Sequence, residues 1–167
     1  MNIFVVHEHP VIAAQSLCDK HIVKMITESA QMLSTAHRVL DDIGEDDITL
    51  YKKAHVNHPC SIWCRETDTN YRWLYRHYKA MSEEYTRRFD KLHGAFYNND
   101  IGQRLYKNPM GIDLGALTEF PIAMQKFPEC IIEGDAVESY RNYYRIAKRA
   151  FARWTKRDVP RWFLETA

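Results

Sequence analysis

The stretch CDKHIVKMITESAQML, Cys18 to Leu33, sets an imidazole, an ammonium and a carboxylate into a segment otherwise suited to burial. On a helix turning about 100° per residue, Lys20, His21, Lys24, Thr27, Glu28 and Gln31 occupy roughly a third of the circumference. Two readings fit. The polar stripe can be the wet side of an amphipathic helix. It can also be a carboxylate held beside cations, as acid–base chemistry or phosphate positioning requires. Lys24 and Glu28 form an ordinary i,i+4 pair besides, worth about 0.3–0.5 kcal/mol. Pattern alone leaves both readings open.

A second group, HVNHPCSIWC, brings His55, His58, Cys60 and Cys64 within ten positions. Zinc sites favour Cys pairs with two to four residues between and His pairs with three to five. The Cys pair fits, but the His pair has only two residues between, Pro59 interrupts the set, and Cys18 and Cys130 stand alone. A structural zinc is therefore a minor alternative, and the sequence implies no metal. No thiol-enzyme signature surrounds any Cys, and neither a Walker loop nor a dinucleotide fingerprint is present.

The third candidate lies in YRNYYRIAKRAFARWTKRDVPRW, Tyr140 to Trp162. Arg141, Arg145, Lys148, Arg149, Arg153, Lys156, Arg157 and Arg161 interleave there with Tyr, Phe and Trp. Cations contact phosphates while aromatics stack on bases. Equally, Tyr143, Ala147, Ala150 and Trp154 suit a buried helix side. The reading preferred here is an aromatic core face with a phosphate-facing cationic surface.

The elements that must position these groups belong to a chain of 167 residues, a length suited to one domain over residues 1–167. A hydrophobic fraction of 46% and an aromatic fraction of 13% argue against disorder. Net charge is +1, so its distribution matters more than its sum: acid concentrates in DDIGEDD, Asp41 to Asp47, and base in the C-terminal stretch. MNIFVV has neither the length nor the basic flank of a signal peptide, and no apolar run approaches about 18 residues. The expectation is a cytoplasmic protein away from membranes, with its four thiols free.

MNIFVV reads as a short extended arm. Pro10 suits a helix start, and Leu17, Ile22, Met25, Ile26, Leu33, Ala36 and Leu40 continue a three-to-four spacing up to the acidic loop. A second long helix is predicted from Ser61 to Phe89, with Arg65, Arg72, Arg76 and Lys79 on the side opposite its apolar stripe. Gly94 to Cys130 reads as loops around one short helix near Leu114 to Met124. Asp135 and Glu138 match a capping box opening a third helix to about Trp154. The fold class expected is all-α, a single compact helical domain.

Two stretches resemble the pyrimidine-dimer DNA glycosylase family, the phage endonuclease V type and its bacterial relatives. Asp19, His21 and Glu28 within LCDKHIVKMITESAQML match that family's Asp, its His two residues on, and its Glu seven residues further. Asn57-His58-Pro59, with Glu84, Arg88 and Phe89 near the end of the following long segment, resembles its next landmark, and YRNYY its basic, Tyr-rich tail. The chain is also similar to phage proteins of unassigned activity that share the Asp-Lys-His, Asn-His-Pro and Glu-Tyr-Thr-x-Arg signatures. The family departs from this chain at Thr27, where it has an Arg; Lys24, one turn earlier, is the nearby cation.

The resemblance implies a base-excision glycosylase with abasic-site lyase activity. Its nucleophile is the N-terminal amine, here that of Met1, which the bulky Asn2 should leave unprocessed, and its carboxylate is Glu28. Free α-amines titrate near about 7.7, so a neutral fraction persists at neutral pH. His21, Lys20, Lys24, His58, Arg72, Arg76, Arg88, Arg141, Arg145 and Lys148 are the expected substrate- and phosphate-binding groups. No cofactor is implied, and the expected partner is DNA or a nucleotide ligand. The alternative is a non-catalytic phage accessory or counter-defence protein that binds a nucleotide or modified base in the same polar pocket.

Overall fold

The computed structural model describes residues 1–165. Among these no strand occurs, and helices joined by irregular segments form an all-α fold. Two 22-residue helices build its centre: α2 (Asp19–Leu40) and α4 (Asp68–Phe89). They run antiparallel. Arg88, at the end of α4, reaches Asp19 at the start of α2, while Tyr71 near the start of α4 bonds His37 near the end of α2. Ile22, Met25, Ile26 and Leu33 face Tyr71, Leu74, Tyr78 and Met81 in the buried core.

The helix predicted to run unbroken from Pro10 to Leu40 is interrupted. α1 (Pro10–Ser16) ends at an extended Leu17, and α2 begins after Cys18. The carbonyls freed by the break are satisfied from elsewhere: Arg88 donates to Gln15 O and Leu17 O, and Trp154 Nε1 to Ser16 O. Helix-terminal carbonyls need such partners when buried. The second long run is likewise split into α3 (Pro59–Cys64) and α4, because Thr67 caps α4 by accepting from the Asn70 N–H.

α5 (Gly94–Tyr97) and α6 (Ile101–Arg104) are single turns inside the segment expected as loops. The short helix expected near Leu114 to Met124 is absent, and that stretch is irregular. Side chains from the start of α4 take its backbone groups: Asp68 accepts from Gly115 N–H, Asn70 Oδ1 from Thr118 N–H, and Thr69 Oγ1 donates to Gly115 O. α7 (Ala136–Tyr143) opens on the expected Asp135 cap, continues as one wide turn over Tyr144–Lys148, and stops well before Trp154. α8 (Arg161–Leu164) closes the described chain.

The acidic loop after α2 is organised by carbonyls. Buried Arg38 donates Nε to Tyr51 O, Nη2 to Asp47 O and Leu50 O, and Nη1 to Ile43 O and Gly44 O. A buried guanidinium must spend its five donors on acceptors, and here the loop wraps it.

Candidate active site

The N-terminal arm is buried from Asn2 to Val6 and lies over α2. Asn2 fixes its shape. Its Oδ1 accepts from Ile3 N–H (2.8 Å) and Phe4 N–H (3.1 Å), and its Nδ2 donates to Ala123 O (3.0 Å). The arm turns at Phe4, whose φ of 57° is in the left-handed region. A non-glycine residue there costs on the order of 1 kcal/mol, which the surrounding contacts must outweigh. The Phe4 ring stacks on His21 at 4.0 Å and lies edge-on to Tyr140 and Tyr144.

That turn brings the first nitrogen of the chain to α2. Met1 N stands 3.6 Å from Glu28 Oε2, and the Asn2 N–H donates to the same oxygen at 2.9 Å. Lys24 Nζ lies 3.5 Å from the other oxygen, Oε1. Glu28 is 13% exposed, so part of its side chain faces solvent, while the Met1 side chain is buried. His58 caps α3 by accepting from Cys60 N–H. Burial first, and then the nearby terminal amine, hold its imidazole below the ordinary value. The recess therefore joins an amine, a carboxylate, an ammonium and an imidazole.

His21 sits behind this recess. It is 5% exposed, and its Nδ1 is 2.5 Å from the Tyr144 hydroxyl. Burial, then Lys148, Lys24 and Lys20, hold its imidazole down to about 3, so the ring is neutral at physiological pH. Those lysines flank His21. Lys148 Nζ lies 4.3 Å from the centre of the Tyr143 ring and Lys20 Nζ 4.6 Å from that of Phe151.

The remaining sequence candidates do not join the recess. Arg88 is wholly buried, bonded to Glu84 and Asp19 and to the carbonyls of Gln15 and Leu17, so its guanidinium ties helices together. Arg145 is 7% exposed and donates to Glu138, Asn142 and Trp162 O. Arg141 donates to Val6 O and pairs with Glu138 at 3.6 Å, which makes it a brace for the arm. Arg72 and Arg76 are exposed on the side of α4 turned away from α2. Burial separates Arg88 and Arg145 from the lysines: a guanidinium can be enclosed if every donor finds an acceptor.

His55, His58, Cys60 and Cys64 do not converge, and no group of three or more His, Cys, Asp or Glu among the described residues could hold a metal ion. Sequence alone gives no site role to Asn2 or Phe4, and marks Tyr144 only as one of the aromatics interleaved with the C-terminal cations. An Asn beside the first residue carries no local signal, since its bonds run to Ala123 and to the arm it folds.

The model of one protein family, described as pyrimidine dimer DNA glycosylase, matches residues 1–97. That stretch holds Met1, Lys24, Glu28 and His58, spans α1 to α5, and excludes the basic C-terminal region with Lys148. No curated protein and no solved structure matches the chain.

Proposed function

Because the chain belongs to the pyrimidine dimer DNA glycosylase family, we propose that it excises a damaged base from DNA and then opens the abasic strand by a lyase step. The Met1 nitrogen lone pair forms a bond to the sugar C1′ as the bond from C1′ to the base breaks. The base leaves with that electron pair and takes a proton. Loss of a proton from the amine and opening of the C1′–O4′ bond, with O4′ protonated, give the iminium. Removal of a C2′ proton then expels the 3′ phosphate.

Glu28 is the group that moves these protons, between the amine, O4′ and C2′. The observation that carries the reading is the 3.6 Å separation of Met1 N and Glu28 Oε2, with the carboxylate side chain still partly exposed. The Asn2 N–H on the same oxygen and Lys24 on the other keep the carboxylate aimed at the amine. Lys20, Lys24 and Lys148 are the exposed or half-buried cations that would take the flanking phosphates. His21, enclosed and neutral, supports the Phe4 turn that delivers the amine.

Strand scission on a duplex carrying one abasic site, and on ultraviolet-irradiated duplex, tests this reading. The wild-type protein should cleave both, and Glu28→Gln should be slower by about a hundredfold or more. Duplex binding without cleavage by the wild type would favour the non-catalytic alternative.

A further inference from the structure

The arginines on the far side of α4 define a place of their own. Arg72, Tyr75, Arg76, Lys79, Tyr106 and Lys107 line a cavity of about 550 Å³ between α4 and the segment after α6. The volume lies within the range of about 300–1,000 Å³ usual for small-molecule sites. α4 stands between this cavity and α2, so it shares no residue with the Glu28 recess.

Its floor is fixed. Tyr75 donates its hydroxyl to Gly102 O at 3.0 Å, and Tyr71 donates to Leu105 O at 2.8 Å. His37 Nε2 is 3.0 Å from Lys107 O, which anchors the loop that carries Tyr106. Tyr106 meets Tyr75 in a T-shaped contact at 5.6 Å yet is 70% exposed, so most of its ring surface is open to solvent.

The charges are unbalanced. No carboxylate lines the cavity. Arg72 has a loose partner in Asp68 at 3.9 Å, and Lys79 pairs with Glu83. Arg76 has only a 3.5 Å contact with the His9 ring, and neither it nor Lys107 has a carboxylate partner within 4.0 Å among the described residues. An exposed aromatic ring beside unneutralised cations suits a ligand that is flat at one end and anionic at the other.

We propose that this cavity is a second, separate nucleotide-binding site. The base stacks on Tyr106, and the phosphate lies between Arg76 and Lys107. The nucleotide is either a free monophosphate or a unit of single-stranded DNA, since both present the same base and phosphate. The site does not depend on any chemistry in the recess.

Amide chemical-shift titration with deoxyadenosine monophosphate, and separately with a short oligodeoxyadenylate, tests the site. Shifts should cluster at residues 72–79 and 105–108. Tyr106→Ala should weaken binding about tenfold or more, and so should the double variant Arg76→Gln, Lys107→Gln, with unchanged melting because all three side chains are exposed. Deoxyadenosine without phosphate should bind more weakly than the monophosphate. If the monophosphate suffices, the ligand is a free nucleotide; if only the oligonucleotide shifts these amides, it is a strand, and both results support the site. Shifts confined to Met1–Phe4 and Glu28, no shifts with either probe, or unchanged affinity in Tyr106→Ala would each overturn it.

Discussion

Replacing Glu84 by Gln should destabilise the protein far more than the same change one residue earlier. Glu84 is 3% exposed and ties α4 to the segment that carries Arg157. Its Oε1 accepts from Arg88 Nε at 2.8 Å and Arg157 Nε at 2.9 Å, and its Oε2 from Arg157 Nη2 at 2.6 Å. Removing one partner of a buried ion pair costs about 3–5 kcal/mol. Asp19 stays 3.0 Å from Arg88, which places the expected loss near the lower end, about 3 kcal/mol. At roughly 2–4 °C per kcal/mol for a chain of this size, the midpoint should fall by about 6–12 °C. Glu83→Gln breaks only an exposed pair with Lys79, worth at most about 1 kcal/mol, and should shift melting by a few degrees at most.

The pH dependence has a definite sign. Burial alone would push the Glu84 carboxyl up, but hydrogen bonds from Arg157 and Arg88, and their charges, outweigh it and hold it below its unfolded value of 4.5. The stabilisation is therefore complete above that value and is lost as pH falls through the lower folded one. Thermal melts followed by circular dichroism, for wild type and both variants from neutral pH downward, read this directly. A Glu84→Gln midpoint no lower than that of Glu83→Gln, or a gap that does not shrink in acid, would refute the reasoning.

Three further outcomes follow from buried groups. The His21 ring should show no titration by proton NMR from pH 8 to about 5. With its folded value near 3 against 6.5, its contribution to stability is present above 6.5 and declines below it. Arg38→Met should release the acidic loop, costing about 3 kcal/mol or more, and limited proteolysis should then cut within residues 41–50. All four thiols are buried, with Cys60 pushed up to about 12 by burial, so a thiol reagent should label none in the native protein and four in denaturant.

The two central helices were legible because their apolar periods are long and unbroken, and burial of those faces decides the fold. The breaks at Leu17–Cys18 and Arg65–Thr67 were not. They are stabilised by side chains distant in sequence, such as Arg88 and Trp154 for the first, or by a cap inside an otherwise helical pattern for the second. The same reason explains the expected helix at Leu114 to Met124, whose backbone is claimed by Asp68 and Asn70. At the site, the Lys24–Glu28 stripe showed in the helical period, but period cannot tell a guanidinium that is enclosed from one that faces water. Arg88 and Arg145 looked like Arg72 on that criterion and have different surroundings.

The pairing of the first amine with Glu28 is tested most directly by reducing the protein with borohydride in the presence of abasic-site duplex and mapping the adduct by mass spectrometry. The sugar remnant should be on the peptide that begins with Met1, and it should be lost when that amine is acetylated. An adduct on Lys20 or Lys24, or no adduct while the duplex remains bound, would contradict the account.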